Sequence, residues 1–542
     1  MKNYLISLFD ETSQKLPYLK EIQITFDRPK IETHGDISSN AAMLLTKILK
    51  KNPREIANEI IAGLALDPTK ITKVEIAGPG FINFFFHPDF LVNKIKNILN
   101  EQNEFGKSKK HAGKRANVEF VSANPTGPLT VGHGRNAVCG DTIANLLEWT
   151  GYEVDREYYF NNAGRQMRVL GDSVRLRYLE LLGETIEFPE DYYQGDYIKT
   201  IAESLKSELG DSLRDEPAEG KFKERAEKEI FIDIEKTLLR LNIKHKNFFN
   251  ENSLYEEKKI ESVLKTFAEK NLSYEKEGAI WLKLSELGNQ QDKVIVKSTG
   301  EPTYRLPDVA YHITKFDRNY DLMIDLFGSD HNATYPDVMA GLQALGYDSS
   351  KVKVLIHQFV TITQNGEIVK MSTRKANYVT LDELTDEVGA DVVRYFFNMR
   401  NISTHMNFDL ALAKKHSDEN PVFYLQYAHA RICSIIRTIE NENLQASTDQ
   451  LDLLQADEEQ KLIRKLHQFE EEVLLAAEYF EPNRIATYLE ELAASFHKFY
   501  TFCRILGTEK NLAEARIALA LATKIVIKNG LSILGVTAPE RM

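Results

Sequence analysis

The stretch Asn124-Pro-Thr-Gly-Pro-Leu-Thr-Val-Gly-His-Gly-Arg135 decides the fold of this 542-residue chain. It follows Val118-Glu-Phe-Val-Ser122, which has the pattern of a buried strand, and the residues after His133 have a helical pattern. A strand, a glycine loop and a helix N-terminus together form an anion-binding site. Gly132 and Gly134 let the backbone approach a phosphate closely, and His133 places an imidazole beside it. An ordinary glycine-rich turn is the alternative, because a Gly-x-Gly string alone is weak evidence.

A second segment, Lys370-Met-Ser-Thr-Arg374, lies about 240 residues further along the chain. Its cations, Lys370 and Arg374, lie on a polar loop of the kind that can close over a polyphosphate. Alone, a basic loop is usually a solvated surface. In this order and at this separation, the two segments resemble the two ATP-handling signatures of class I aminoacyl-tRNA synthetases.

The composition is that of a folded protein with several domains. Hydrophobic residues make up 43% of the chain and charged residues 27%, which argues against long disordered tails. The net charge of −12 does not fit a protein whose whole surface is covered by nucleic acid, although a local basic face is compatible with it. We expect no membrane span, and the early acidic residues of the N-terminal segment argue against a secretory signal, so the sequence predicts a cytoplasmic protein.

The three cysteines are Cys139, Cys433 and Cys503, and they are widely separated. They form no Cys-x-x-Cys pair, so neither a disulfide framework nor a structural zinc site is indicated. We expect them to be small buried hydrophobic residues, and we expect no metal ligands among the protein side chains.

The chain divides into three predicted parts. Residues 1–110 mix helical periodicity with short strands and predict a small α+β domain. Residues 111–410 alternate strand-like and helical segments and predict an α/β fold with a Rossmann-type doubly wound parallel sheet, interrupted by a mostly helical insertion at about 166–290. Residues 411–542 predict a helical bundle. The apolar runs that predict strands of the parallel sheet begin at Val294, Leu322 and Val352.

Class I synthetases differ in the amino acid that they hold near the carboxyl edge of the sheet. Tyr304 and Asp308 are four residues apart on a predicted helix and so share one face. A guanidinium needs carboxylate partners and aromatic contact, and we expect Asp308, Tyr304 and Glu119 to surround one. Asn124, with His331 or Asp330, is expected to bind the α-amino end of the same amino-acid substrate. A surface carboxylate and a packed tyrosine are the structural alternatives.

The sequence resembles bacterial arginyl-tRNA synthetases over nearly its whole length. The resemblance is carried by segments starting at Glu119, Tyr158, Pro302 and Gly328. Outside them, Gly35 to Asn40 and Ala77 to Asn83 resemble the family's N-terminal domain, which contacts the tRNA elbow. Gln426 to Arg431 and the closing Leu534 to Met542 resemble its anticodon-binding domain. The tRNA-binding residues implied are Asn40, Phe81, Asn83, Gln426, Tyr427 and Arg431.

The resemblance implies a two-step reaction with arginine, ATP and cognate tRNA as substrates and Mg²⁺ accompanying the ATP. Arginine attacks the α-phosphate of ATP, and the terminal adenosine 2′-hydroxyl of tRNA then takes the arginyl group. The family also implies that tRNA is needed for the first step, and it favours a monomer. The implied catalytic residues are His133, Thr130, Lys370 and Arg374, and the implied ATP-binding residues are Gly132, Gly134, His133, Gly328, Met371 and Ser372.

Three positions depart from the family pattern. Thr130 stands where the first signature usually begins with histidine, and we expect its hydroxyl to donate a hydrogen bond to a phosphate oxygen. Thr373 replaces a lysine of the second signature, and Asn162 stands where aspartate is more frequent. The competing hypotheses are a class I synthetase for another amino acid, a noncatalytic tRNA-binding paralogue and a simple nucleotidylyltransferase.

Overall fold

The structure is a computed structural model that describes residues 1–29, 31–162, 164–368, 379–440, 442 and 444–542. The second predicted signature lies outside the described residues. Four of the predicted site residues belong to this signature: Lys370, Met371, Ser372 and Arg374.

The secondary structure has the following bounds. The helices are α1 Lys2–Thr12, α2 Ala41–Leu49, α3 Pro53–Gly63, α4 Pro88–Glu101, α5 Val131–Trp149, α6 Gly164–Leu181, α7 Asp196–Leu209, α8 Lys223–Arg240, α9 Asn252–Glu256, α10 Lys259–Glu269, α11 Arg305–Asp317, α12 Tyr335–Leu345, α13 Leu381–Val388, α14 Ala390–Asn398, α15 Leu410–Ala413, α16 Pro421–Glu440, α17 Asp457–Leu466, α18 Phe469–Tyr479, α19 Asn483–Phe502 and α20 Lys510–Leu534. The strands are β1 Phe26–Asp27, β2 Ile37–Ser39, β3 Ile71–Ala77, β4 Phe81–Phe86, β5 Arg115–Glu119, β6 Glu153–Phe160, β7 Asn247–Asn250, β8 Ser273–Lys276, β9 Ala279–Leu282, β10 Lys293–Val296, β11 Leu322–Gly328, β12 Val352–His357, β13 Val360–Gln364, β14 Glu367–Ile368 and β15 Met406–Asp409.

A parallel sheet with the order β12-β11-β5-β6-β7 forms the centre of the molecule. Strand β5 lies in its middle, paired with β11 on one side and β6 on the other, and both of its faces are covered: Val118 is fully buried on one face and Asn117 on the other. The strand order reverses at β5, so the carboxyl edge beside β5 and β11 is the topological switch point, where ligands bind in this fold class. The predicted doubly wound parallel sheet is confirmed, and the runs at Leu322 and Val352 are two of its strands.

The run at Val294 was expected in the same sheet, and this prediction is wrong. It forms β10, which pairs antiparallel with β9 in the three-stranded sheet β10-β9-β8. Its buried side chains, Ile295 and Val296, belong to a core cluster with Phe267 and Val309. A short apolar run shows that a strand is buried but not which neighbour it pairs with.

The segment 166–290 is helical only in its first half. After α8 the chain forms β7, which is the edge strand of the parallel sheet, and then α9, α10, β8 and β9. This segment therefore contributes to the central sheet as well as interrupting it.

The N-terminal residues form the antiparallel sheet β1-β2-β4-β3 with α1 to α4 around it, as expected for a small α+β unit. From α16 onward the described elements are helical. Helix α20 has 25 residues and is, by length and composition alone, apolar and long enough to cross a membrane. Because 72% of its apolar window is buried inside the protein, it has the burial of a core helix.

Ion pairs connect the N-terminal residues to the C-terminal helices. Arg28 and Lys94 pair with Glu471 and Glu470 of α18 at 3.1 and 2.5 Å. On α17, Arg464 donates to the Asp36 carboxylate at 2.5 Å. The acidic run at 470–472 therefore forms part of an internal contact surface.

Candidate active site

The N-terminus of α5 carries the first predicted signature. Thr130 is its N-cap residue, with an extended backbone. The Thr130 backbone N–H donates to Nδ1 of His133 at 3.1 Å, and the Thr130 hydroxyl lies 3.3 Å from the same nitrogen. Because Nδ1 accepts a hydrogen bond, the neutral ring carries its proton on Nε2. The Thr130 hydroxyl, predicted to contact a phosphate, therefore lies beside His133.

The two glycines of this signature have different surroundings. A Cβ on Gly134 would stand 2.5 Å from Cδ1 of Leu381, so the bare Cα lets the start of α13 pack against α5. Among the described residues, a Cβ on Gly132 would meet only the Thr130 hydroxyl, at 3.8 Å. Gly134 therefore has a packing reason to be glycine, and the open space lies over Gly132.

The chain that follows the second signature returns to the first. The Leu381 N–H donates to the Leu129 carbonyl at 2.8 Å, and Thr380 forms a β-bridge with Thr130. Helix α13 begins here with a capping box between Thr380 and Glu383. The start of α13 and the start of α5 are thus held together.

Arg135 connects the first turns of α5 to backbone segments elsewhere in the fold. Its guanidinium is fully buried and donates, at 2.9 Å each, to the carbonyls of Gln358, Thr404 and Asn401. Gln358 lies just before β13, so Arg135 attaches α5 to that strand's first residues. Burial lowers the pKa of Arg135 from its ordinary value.

The loop after β5 is strained. Val121 and Ser122 have φ angles of 67° and 42°, in the left-handed region that is unfavourable for a β-branched residue such as valine. Asn136 of α5 holds this turn by accepting from the Val121 N–H at 2.6 Å and donating to the Leu326 carbonyl at 2.8 Å. The turn directs the following residues to the carboxyl edge of the sheet.

A row of buried carboxylates crosses the sheet beneath α11. Asp325 on β11 lies opposite Glu119 on β5, and Glu119 lies opposite Glu157 on β6. All three are at most 3% exposed. Such a row needs internal cations, since unpaired buried carboxylates are costly.

Helix α11 and its C-cap residue, Arg318, together supply three cations for the three carboxylates of the row. The Lys315 ammonium lies 2.6 Å from Glu119 and 2.5 Å from Asp325. Arg318 pairs with Glu157 through both terminal nitrogens. His312 lies 2.9 Å from the Asp325 carboxylate through Nε2 and 2.7 Å from the Asp308 carbonyl through Nδ1. Both of these groups are acceptors, so the His312 ring donates twice and is cationic.

The pKa shifts agree with this pairing. Burial works against the charge of Lys315, but Asp325 and Glu119 raise the pKa of its ammonium above the ordinary value. Burial also works against the charge of His312, and Asp325 raises the pKa of the imidazole. Three carboxylates are therefore balanced by three cations.

Two further carboxylates beside this layer have no such cation. Within the described residues, neither Asp308 nor Glu251 forms an ion pair, and Glu251 accepts only a neutral hydrogen bond, from the Tyr159 hydroxyl at 2.6 Å. Burial, with added repulsion from Glu119, Glu251 and Asp325, raises the pKa of Asp308 to about 7, although His312 opposes the shift. Burial also raises the pKa of Glu251. A cation bound between these two carboxyl groups would favour their ionised forms.

The other residues predicted at the amino-acid site are placed differently. Glu119 is brought to the cluster, but its two oxygens already accept from Lys315 and from the Ser122 hydroxyl. Tyr304 is 78% exposed, so its phenol is not packed among the buried carboxylates. Asn124 is exposed, and its amide donates to Gln166 at 2.8 Å.

Three predicted residues follow or end β11. Gly328 is the last residue of the strand and lies opposite His357 of β12. Asp330 and His331 lie in the short helical turn Ser329–Ala333, and their side chains are outside what the structure describes. The backbone therefore brings all three to the carboxyl edge of the sheet.

The residues predicted to contact the tRNA elbow lie around β4. Asn40 is the N-cap residue of α2 and accepts from the Thr25 hydroxyl at 3.0 Å. Phe81, the first residue of β4, is 38% exposed, whereas Asn83 is buried within the strand at 3%. Phe81 and Asn83 alternate with buried Ile82, so they share one face of the sheet.

The residues predicted in the anticodon-binding part lie on α16. Tyr427 is 40% exposed and stacks between Phe423 and His497. Arg431 lies over the Tyr500 ring at 4.9 Å. Gln426 donates to Asp391 at 2.8 Å and to the Thr537 carbonyl at 3.1 Å, so it holds the C-terminal segment in place.

Sequence reasoning missed three residues of the cluster. Glu251 directly follows β7, a strand inside the segment predicted to be a helical insertion, and the resemblance of the segment starting at Tyr158 implies no role for Tyr159. Lys315 is seven residues after Asp308, so helical periodicity places both on one face of α11. That spacing was the available signal, but a lysine seven residues from a carboxylate is common on helices.

Within the described ranges, no group of three or more His, Cys, Asp or Glu residues is arranged to hold a metal ion. Cys139, Cys433 and Cys503 are all free and buried. The described side chains therefore offer no metal site of their own.

The parallel sheet, its switch point and the glycine signature on α5 define a class I aminoacyl-tRNA synthetase. Residues 94–403 match the family described as tRNA synthetases class I (R), catalytic domain, residues 3–86 match the Arginyl tRNA synthetase N terminal domain, and residues 425–542 match the DALR anticodon binding domain. The chain belongs to the arginyl-tRNA synthetase family.

Full-length relatives agree with this assignment. The chain is 49% identical over 562 residues to the arginine–tRNA ligase of Salinibacter ruber, which covers all of both chains. It is 50% identical over 521 residues to that of Desulfotalea psychrophila, which covers 96% of this chain and 94% of the relative. The arginyl-tRNA synthetase of Thermus thermophilus has the same fold, with a TM-score of 0.79 at 23% identity over 99% of each chain. The protein is therefore a class I ligase that aminoacylates tRNA with arginine, using ATP, and the three competing hypotheses are set aside.

Proposed function

We propose that Asp308 and Glu251 receive the guanidinium of arginine. The observation that supports this site is the charge balance: every carboxylate of the row beneath α11 has an internal cation, whereas these two form no ion pair with any residue that the structure describes. A guanidinium has five donors in a fork and pairs well with two carboxylates. Glu119 remains a proposed third carboxylate beside the guanidinium, and it also accepts a hydrogen bond from the Ser122 hydroxyl of the loop after β5.

The α-amino end of arginine is proposed to lie nearer α5, with Asn124 and Asp330 or His331 as its partners, because their backbones follow β5 and β11 at the same edge. Tyr304 is proposed to cover the arginine side chain from the surface. Its exposure in the described state supports an aromatic group that gains contact when the ligand binds.

ATP is proposed to bind with its phosphates over Gly132, where the backbone is open, and with Nε2–H of His133 as a donor. Thr130 is proposed to orient that ring. Gly328, Met371 and Ser372 remain proposed ATP contacts, and Lys370 and Arg374 are proposed to neutralise the leaving pyrophosphate. Mg²⁺ is proposed to arrive with the phosphates, which supply the hard oxygen ligands it prefers, and we propose no zinc.

Transfer RNA is proposed to contact both ends of the chain, with Asn40, Phe81 and Asn83 at its elbow and Gln426, Tyr427 and Arg431 near the anticodon. The exposed Tyr427 ring suits stacking with an unpaired base. We propose a division into 1–110, 111–410 and 411–542, a monomer, and a cytoplasmic location.

The test is ATP–pyrophosphate exchange, with tRNA present, for arginine against citrulline. Citrulline has nearly the same shape but no charge, so it would leave two buried carboxylates without a cation. We expect kcat/KM to be lower for citrulline by about 1,000-fold or more. Comparable use of both amino acids would contradict the proposed pocket.

A further inference from the structure

The loop that carries Asn124 has few backbone donors with which to hold itself in place. Its sequence is Asn124-Pro-Thr-Gly-Pro128, and proline has no backbone N–H, so two of these residues cannot donate a hydrogen bond. The Thr126 N–H donates to the Asn124 carbonyl at 2.7 Å, which makes a tight turn. Side chains of other elements therefore have to fix this turn against the rest of the fold.

Tyr197, near the start of α7 in the helical insertion, contacts this turn. Its hydroxyl donates to the Thr126 carbonyl at 2.7 Å. Two glycines allow the close approach. A Cβ on Gly127 would stand 3.0 Å from the hydroxyl oxygen, and a Cβ on Gly195 would collide with the tyrosine ring. The insertion is therefore bonded directly to the backbone between β5 and α5.

Gln166 of α6 acts on the same loop through a side chain. It accepts from the Asn124 amide nitrogen at 2.8 Å, so the Asn124 side-chain oxygen is presented as an acceptor. An ammonium group has three donors and pairs with an acceptor of this kind. The insertion thus sets the orientation of the Asn124 amide through Gln166, and the backbone two residues later through Tyr197.

The nucleotide side of the loop has separate anchors. The Leu129 carbonyl accepts from the Leu381 N–H, and Thr130 forms a β-bridge with Thr380. Both partners belong to the start of α13 and not to the insertion. Loosening the turn at Thr126 should therefore disturb the arginine side of the loop more than the start of α5.

We propose that Tyr197 is a positioning residue for arginine: its hydroxyl fixes the Thr126 carbonyl and so holds Asn124 where it receives the α-amino group. This inference rests on the proposed function of Asn124. The tyrosine acts through the backbone of the loop and not by contact with the substrate. The helical insertion thereby contributes to the amino-acid site from outside the parallel sheet.

The test measures the dissociation constants of arginine, and separately of ATP with Mg²⁺, for the full-length protein by isothermal titration calorimetry. Tyr197→Phe removes one hydroxyl group and keeps the ring. We expect arginine affinity to fall by about 3-fold to 10-fold, as loss of one hydrogen bond predicts, and ATP affinity to stay within about twofold. An unchanged arginine affinity, or an equal loss for both ligands, would overturn the proposal.

A double-mutant cycle tests whether Tyr197 acts through Asn124. Asn124→Ala should lower arginine affinity by about tenfold or more, because a hydrogen bond to a charged group is lost. Adding Tyr197→Phe to Asn124→Ala should then change the affinity by less than about twofold, since the positioned group is already gone. Full additivity of the two losses would mean that Tyr197 affects binding by another route, and would overturn the proposal.

Tyr178→Phe is the matched control. Tyr178 lies on α6 of the same insertion, and its hydroxyl also donates to a backbone carbonyl, that of Gly210. The variant should lower Tm and leave the dissociation constant of arginine unchanged. An equal loss of arginine affinity in Tyr178→Phe would mean that the stability of the insertion, and not the bond to Thr126, controls binding, and would overturn the specific role of Tyr197.

Asn124→Ala alone separates failure of this inference from failure of the proposed function. Normal arginine binding by Asn124→Ala would contradict the proposed partner of the α-amino group, and the inference with it. Weak binding by Asn124→Ala together with normal binding by Tyr197→Phe would leave that partner in place and overturn only the role of Tyr197.

Discussion

At the scale of single residues, the proposed arginine site contains carboxyl groups whose ionised form is energetically unfavourable when no ligand is bound. Asp308 has a pKa of about 7 because it is buried among other carboxylates. The free protein therefore holds it partly protonated at neutral pH, and a bound cation favours its ionised form. Such destabilised groups are typical of functional sites.

The first prediction concerns the pH dependence of arginine binding. Because the folded-state pKa of Asp308 is raised, the carboxyl is neutral below about pH 7 and ionised above it. Arginine affinity should therefore fall by about tenfold per pH unit below pH 7 and level off above it. Asp308→Asn should bind arginine about 100-fold more weakly at pH 8 and lose this dependence. Calorimetric titrations at several pH values measure both effects.

The same substitution should affect stability in the opposite direction. A raised carboxyl pKa costs folding free energy once the group ionises, so the cost is absent below the unfolded value of 3.8 and complete above pH 7. Asp308→Asn should raise Tm at pH 8 and have a smaller effect at pH 5. A lower Tm at pH 8 would indicate that the carboxylate is paired in the free protein.

The second prediction concerns Glu251. Glu251→Gln keeps the bond to Tyr159 but removes a charge, so arginine affinity should fall by about 10-fold to 100-fold. Glu257→Gln is the control, because Glu257 directly follows the nearby helix α9 and pairs at the surface with Lys259. Equal effects of the two variants on the dissociation constant would exclude a direct role for Glu251.

At the scale of elements, helix α5 combines a ligand-facing end with a packed side. Its first turn begins at Thr130 and contains one glycine facing open space and one packed against α13. Helix α5 therefore connects the proposed nucleotide-binding region with helix α13, which follows the second signature.

The third prediction uses these two glycines as a matched pair. Gly134→Ala forces a methyl group to 2.5 Å from Leu381 and should destabilise the protein by about 1–3 kcal/mol. Gly132→Ala meets no such contact and should keep or raise stability, because alanine favours the helix. Its methyl group should nevertheless raise KM for ATP. Thermal melts and pyrophosphate exchange distinguish the two outcomes, and the reverse pattern would refute the assignment of phosphate binding to Gly132.

Elements could be predicted where the sequence signal is local. The strand at Leu322 and the helix after Thr130 follow from apolar runs and glycine placement. The pairing of β10 could not be predicted, because Val294-Ile-Val has the same pattern whether it joins one sheet or another. The motif residues proposed for the site can be picked out by their sequence patterns, whereas the buried positions of Lys315 and Glu251 cannot. Their roles arise from contacts between β5, α11 and β7, which are far apart in sequence.

At the scale of the whole molecule, the two ends of the chain are braced against each other. Arg28, Lys94 and Asp36 of the N-terminal part pair with Glu471, Glu470 and Arg464 of the C-terminal helices, respectively. Both parts are proposed to contact one tRNA, so this bracing fixes the distance between the two contact regions.

The fourth prediction concerns this brace. Replacing Glu470, Glu471 and Glu472 by glutamine should remove several partly buried ion pairs worth about 0.5 kcal/mol each. Amide hydrogens of residues 1–101 should then exchange faster, with the parallel sheet unaffected, and the difference should shrink in high salt. Glu269→Gln, which removes only a surface pair with Lys265 on α10, is the control. Unchanged amide hydrogen exchange in the triple variant would show that apolar contacts alone hold the N-terminal part against the C-terminal helices.

The sheet order β12-β11-β5-β6-β7 has a consequence for synthesis on the ribosome. Strands β5, β6 and β7 are complete once Asn250 has been made, but the other neighbour of β5 begins at Leu322. At about 5–20 residues per second, the nascent half-sheet waits roughly 4–14 s with one side of β5 lacking its hydrogen-bond partner. Unpaired strand edges promote aggregation, so chains released near residue 300 should sediment as aggregates while chains extending past β12 stay dispersed.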